Sequence, residues 1–149
     1  LDPPDLRQPE QRRRLRAYIW ADQPERLARF EAAAELALEQ GVQVERADAA
    51  EWIESRLARR ADDALTVVYH SIFYQYPRQK ERERIRRAIE RAGAERAAPL
   101  AWLRVEPEAV LDGRPDSLRI LIDLVTWPGG ERCTLGATDG HVRFIDALL

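Results

Sequence analysis

His70 and Ser71 are the residues whose types and place invite chemistry: they follow the apolar or β-branched stretch that opens the segment Leu65–Tyr76, LTVVYHSIFYQY. That stretch predicts a strand over Leu65–Tyr69, buried on both faces of a parallel sheet. In open α/β sheets ligands sit in the crevice beyond the carboxyl ends of the strands, so this strand would deliver an imidazole and a hydroxyl to such a crevice. An imidazole titrating near neutrality can take a proton from a nucleophile. The same histidine can instead hydrogen-bond within the sheet edge and orient a loop. No G-x-S-x-G motif surrounds Ser71 and no acidic partner is evident, which argues against a hydrolase triad.

Other chemistry-bearing residues are read more plainly. His70, Cys133 and His141 fit no zinc spacing, so no metal is expected. Tyr69, Phe73, Tyr74 and Tyr76 can stack on a planar molecule or simply fill a core. Glu106, after the strand ending at Val105, can help shape the same crevice, although Pro107 and Glu108 favour an ordinary solvated turn. The arginines over residues 82–91 are interleaved with glutamates, and Glu83 stands four residues before Arg87, the order that favours a salt-bridged, solvent-facing helix over a phosphate-binding one.

Composition narrows the classes. A chain of 149 residues with 45% hydrophobic content fits one domain with a real core. A third of the chain is charged, yet the net charge is only −2, so no global field draws in nucleic acid or an anionic membrane. The single cysteine, Cys133, allows no internal disulfide and points to the cytoplasm. No apolar run is long enough to span a bilayer, and Leu1 with no methionine anywhere in the chain suggests that a segment precedes it.

The elements that would position these residues alternate. Pro9 opens a short helix to about Tyr18, and Pro24 opens a second with an apolar stripe of Leu27, Phe30, Ala34 and Leu38, closed by Gly41. Val42–Glu45 reads as a short strand. Asp48 and Glu51 resemble a capping box before a helix with Trp52, Ile53 and Leu57 on its inner side, running to about Arg60. Pro77 opens a helix ending at Gly93, with Ile85, Ala88, Ile89 and Ala92 buried. Strands follow at Leu100–Val105, Leu118–Thr126 and Arg132–Thr138, the last two joined at Trp127-Pro128-Gly129-Gly130. His141–Ile145 is a last short strand after Asp139-Gly140. The pattern is α/β, with a mostly parallel sheet ending in an antiparallel hairpin.

Taken in order, WADQPERLARF, ADAAEWI, LTVVYHSIFYQY, PLAWLRVEP, TWPGGE and DGHVRFID resemble a bacterial family known only as domain of unknown function 2332 (DUF2332), over nearly the whole chain. That family is in turn similar to class I S-adenosylmethionine-dependent methyltransferases. The resemblance implies the C-terminal part of a Rossmann-like three-layer sandwich, lacking an upstream glycine-containing cofactor turn. It makes Val42–Glu45 the third strand, Leu65–Tyr69 the fourth and Leu100–Val105 the fifth. It further implies that Asp48 and Ala49 face S-adenosylmethionine, although Asp48 serves equally as a helix cap. By the same resemblance His70 is a base or substrate ligand, and Ser71 and Gln75 orient a small-molecule acceptor of unknown identity. The other reading is a non-catalytic ligand-binding or interaction domain. With the first two strands missing, the edge of Leu65–Tyr69 is left open to self-association.

Overall fold

The computed structural model describes residues 2–95 and 98–148. They fall into two compact units, Leu1–Ala47 and Asp48–Leu149. The first is helical: α1 (Pro9–Arg16) and α2 (Pro24–Glu39) each begin on a proline, whose missing N–H is no loss in the first turn. Arg12 ties the two helices, its guanidinium 2.8 Å from both Glu31 and Glu35.

Val42–Glu45, expected as a parallel strand, is not one. Gly41 takes φ +63° past the end of α2, its N–H donates to the Leu38 carbonyl, and the Val42 N–H donates back to the Ala37 carbonyl. This double capping bond spends on the helix the N–H that would have begun a ladder.

The second unit contains α3 (Ala49–Ala58), β1 (Thr66–Ser71), α4 (Gln79–Glu95), β2 (Leu100–Pro107), α5 (Glu108–Leu111), β3 (Ile120–Trp127), β4 (Glu131–Thr138) and β5 (Asp146–Ala147). The five strands form one sheet in chain order. Only β1 and β2 are parallel; the other three pairs are antiparallel, so the sheet is mixed α/β but not mostly parallel. The connections explain this. Helix α4 carries the chain from the end of β1 back to its start, which a parallel pair requires, whereas the link after β2 holds only the four-residue α5 and the links after β3 and β4 are short turns.

The last strand also falls wholly beyond the expected His141–Ile145, at Asp146–Ala147. Val142 sits at φ 52° in a turn, and Ala147 pairs with Gly136.

One face of the sheet is covered by helices. Ala50, Ile53 and Leu57 of α3 and Ile85, Ala88 and Ile89 of α4 pack with Leu100, Trp102, Val125 and Trp127 in a single core cluster. Gly93 does not end α4 but lies inside it. A Cβ there would come 2.3 Å from Trp127 Cγ, so the glycine lets the helix pass the indole.

Strand β1 is at the sheet edge and is not buried on both faces. Val68 packs into the core, but Val67 and Tyr69 on the opposite face are 53% and 59% exposed. An apolar composition alone does not say whether the second face is covered.

Candidate functional site

Strand alternation places Leu100, Trp102, Arg104 and Glu106 of β2 on the helix-covered face, together with Val68 and His70 of β1. The first residues of each series are core. The later ones are polar, so that toward the carboxyl ends of the parallel pair the core face becomes charged. Buried charges need partners, and here each has one.

His70 Nδ1 lies 2.7 Å from Glu106 Oε1, and the Glu106 side chain is 0% exposed. The same oxygen accepts the backbone N–H groups of Phe73 at 2.8 Å and Tyr74 at 3.1 Å. With Glu106 ionised, His70 donates from Nδ1, which leaves its Nε2 as the basic atom when the ring is neutral. Nε2 and Glu106 Oε2 are both buried without a hydrogen-bond partner among the described residues.

The His70 ring stacks on Tyr74, centroids 5.0 Å apart, and meets Phe73 edge-on. Tyr74 is itself buried. Its hydroxyl donates to the Arg82 carbonyl at 2.8 Å while the Arg82 guanidinium donates to the Tyr74 carbonyl. Burial pushes the Tyr74 phenol up to about 12, against the opposing pull of Arg104, Arg86 and Arg82. The turn carrying Phe73 and Tyr74 begins at Ile72 with φ 47°, a conformation that costs a β-branched residue on the order of 1–3 kcal/mol.

Beside His70 in the register stands Arg104, which pairs with Asp123 of β3. The Arg104 Nε donates to Asp123 Oδ2 at 2.9 Å and its Nη2 to the same oxygen, while Arg132 of β4 donates to Oδ1 at 2.6 Å. Arg104 also lies over the Trp102 ring, 4.2 Å from its centroid. Burial works against the Arg132 charge, but its hydrogen bonds to Asp112 and Asp123 outweigh that and raise its pKa.

The remaining expected site residues are not gathered there. Ser71 is exposed at the end of β1, on the face opposite His70, and Gln75 is exposed in the following turn. Asp48 and Ala49 start α3: Asp48 Oδ1 accepts the N–H groups of Ala50 and Glu51, each at 3.0 Å. Glu106 is not a solvated turn residue: it is fully buried, as Asp123 is, and it helps build this end of the sheet. Its signal was the alternation Leu100, Trp102, Arg104, Glu106, which keeps the two charges on the apolar face. Among the described residues no group of three or more His, Cys, Asp or Glu side chains gathers as a metal site.

Asp48 spends an oxygen on its own helix, and none of the seven glycines stands in a strand-to-helix turn.

Residues 1–146 match the family described as uncharacterized protein conserved in bacteria (DUF2332). No curated protein and no solved structure matches the chain.

Proposed function

Because the chain belongs to DUF2332, a family of uncharacterised bacterial proteins, we propose its function from its own residues: it is the C-terminal, acceptor-side part of an S-adenosylmethionine-dependent methyltransferase-like protein, inactive alone. The observation that carries this is the His70–Glu106 pair at the carboxyl ends of the parallel strands, where a crevice ligand belongs. Glu106 holds the imidazole with its Nδ1 proton toward the carboxylate, and Nε2 then takes the proton of an acceptor's O–H, N–H or S–H group. Tyr74 covers the ring, and the strained turn from Ile72 is the element that moves to let the acceptor reach it. The methyl donor comes from the resemblance alone.

The test uses the protein with its upstream residues. Calorimetry should detect S-adenosylmethionine binding, and labelled methyl groups should pass to one of a panel of hydroxyl, amine and thiol acceptors. His70→Gln should lower that transfer by about 100-fold or more, the usual worth of a general base, with a small change in thermal midpoint. A large loss of stability with transfer intact would make the histidine structural.

The exposed edge and outer face of β1 favour a second reading, a non-catalytic domain that pairs with another chain. Under it, sedimentation of the isolated chain shows a dimer that Val67→Lys dissolves. A monomer at every concentration would count against it.

A further inference from the structure

A cleft of about 640 Å³ opens where the chain leaves β1 and β2, walled by Tyr74, by Arg82 and Arg86 of α4, and by Val110 and Pro115 after β2. Its size is that of a small-molecule site. Tyr74, which forms one wall, is the residue stacked on His70.

The charges along this cleft do not cancel. Glu83 is engaged by the Gln79 amide at 3.2 Å and by Arg87 at 3.6 Å. Glu90 takes Arg86 Nη1 on both its oxygens, leaving the Nε and Nη2 of that guanidinium to spare among the described residues. Arg82 has no carboxylate partner among the described residues. It is anchored instead by the Tyr74 carbonyl, and Tyr74 feels the positive charge of Arg82 and Arg86. The surplus is one cation, held in place beside an apolar wall of Val110 and Pro115.

We propose that this cleft binds a small organic carboxylate, its anionic group on Arg82 and Arg86 and its apolar body against Val110 and Pro115. A guanidinium with free parallel donors matches a carboxylate, and a single surplus charge suits a monoanion. The inference rests on reading this end of the sheet as the acceptor side, and it names the acceptor's chemical class.

The experiment uses benzoate as probe, uncharged benzamide as control, and amide-shift mapping of the full chain. Benzoate should shift the amides of Arg82, Arg86, Val110 and Gly113 saturably, and benzamide should not. Arg82→Gln with Arg86→Gln should weaken benzoate about tenfold. Glu83→Gln, which removes an opposing charge, should tighten it, a gain that misfolding cannot produce. No saturable shift at the cleft, equal binding of benzamide, or an affinity that Glu83→Gln leaves unchanged overturns the proposal. Benzoate binding without methyl transfer by the extended protein would sink the transferase reading and leave this one standing; transfer with an inert cleft would do the reverse.

Discussion

His70 Nδ1 and Glu106 Oε1 are 2.7 Å apart although 36 residues separate them in the chain. They sit on adjacent parallel strands, His70 level with Arg104 and Glu106 two positions further on. One carboxylate oxygen thereby fixes both an imidazole and the turn that follows it. Glu106→Ala should strand three donors, the part-buried His70 Nδ1–H and Phe73 amide and the buried Tyr74 amide. At about 1 kcal/mol for each of the two part-buried donors and about 1–3 kcal/mol for the buried Tyr74 amide, a total loss of about 3–5 kcal/mol is expected in urea unfolding. Glu106→Gln, which keeps an acceptor, should lose about half of that. A loss under about 1 kcal/mol for the alanine variant would show that the carboxylate is not the clamp.

Tyr74 gives the pH dependence. Burial favours its neutral form, so the folded chain ionises it at about 12 while the unfolded chain does so near the ordinary value of 10. Below pH 10 both states are neutral and the full stability is present. Between 10 and 12 the unfolded state releases the proton first, and stability falls by about 2–3 kcal/mol. Tyrosinate absorbance should show one of the four tyrosines titrating late. Tyr74→Phe should remove that late step.

Gly93→Ala tests the passage of α4 over Trp127. Alanine gains about 1 kcal/mol of helix propensity, but its Cβ meets the near end of the indole at 2.3 Å. Overpacking dominates, and a net loss of about 1–3 kcal/mol is expected by thermal melting. With Trp127→Leu in place the same substitution should become neutral or stabilising. Destabilisation of equal size in both backgrounds would locate the cost elsewhere.

Asp48→Ala should cost about 1 kcal/mol through the lost cap, and Asp48→Asn almost nothing, because asparagine accepts the same two N–H bonds. If Asp48 also faces the cofactor in the extended protein, Asp48→Asn should weaken S-adenosylmethionine binding in calorimetry at unchanged stability. Equal affinities would leave Asp48 as a cap alone.

The elements were largely legible in the sequence because their signals are local. Pro9, Pro24 and Gly41 bound the helices they were expected to bound, and the β3–β4 hairpin follows from the Gly129-Gly130 turn. Sheet direction was not legible, since it depends on the lengths and paths of the connections, and the pattern at Val42–Glu45 could not reveal that a helix cap claims the Val42 N–H. Gly93 read as a stop because the residue that requires it, Trp127, lies in another element.

In the site, His70 stood out by its type and its place at the end of an apolar run. Glu106 did not, because Glu-Pro-Glu reads as solvent-exposed unless the strand alternation is carried through it. Asp123 was hidden in the same way: its 0% exposure rests on arginines from two neighbouring strands.

The single parallel pair also dictates when the parts of the sheet come together. Thr126 meets Glu131 across one turn, whereas Thr66 meets Leu100 only after the whole of α4 has been laid down between them. Closing the larger loop costs more chain entropy before any contact repays it, so the β2–β5 meander should assemble early and β1 should dock late. The His70–Glu106 contact is then among the last native interactions to form, and weakening the docking of β1 should hasten unfolding while barely slowing folding. Val68→Ala in stopped-flow chevrons reads this directly: a slower folding arm would place β1 in the nucleus, and an unfolding arm that alone moves would place it at the end of the route.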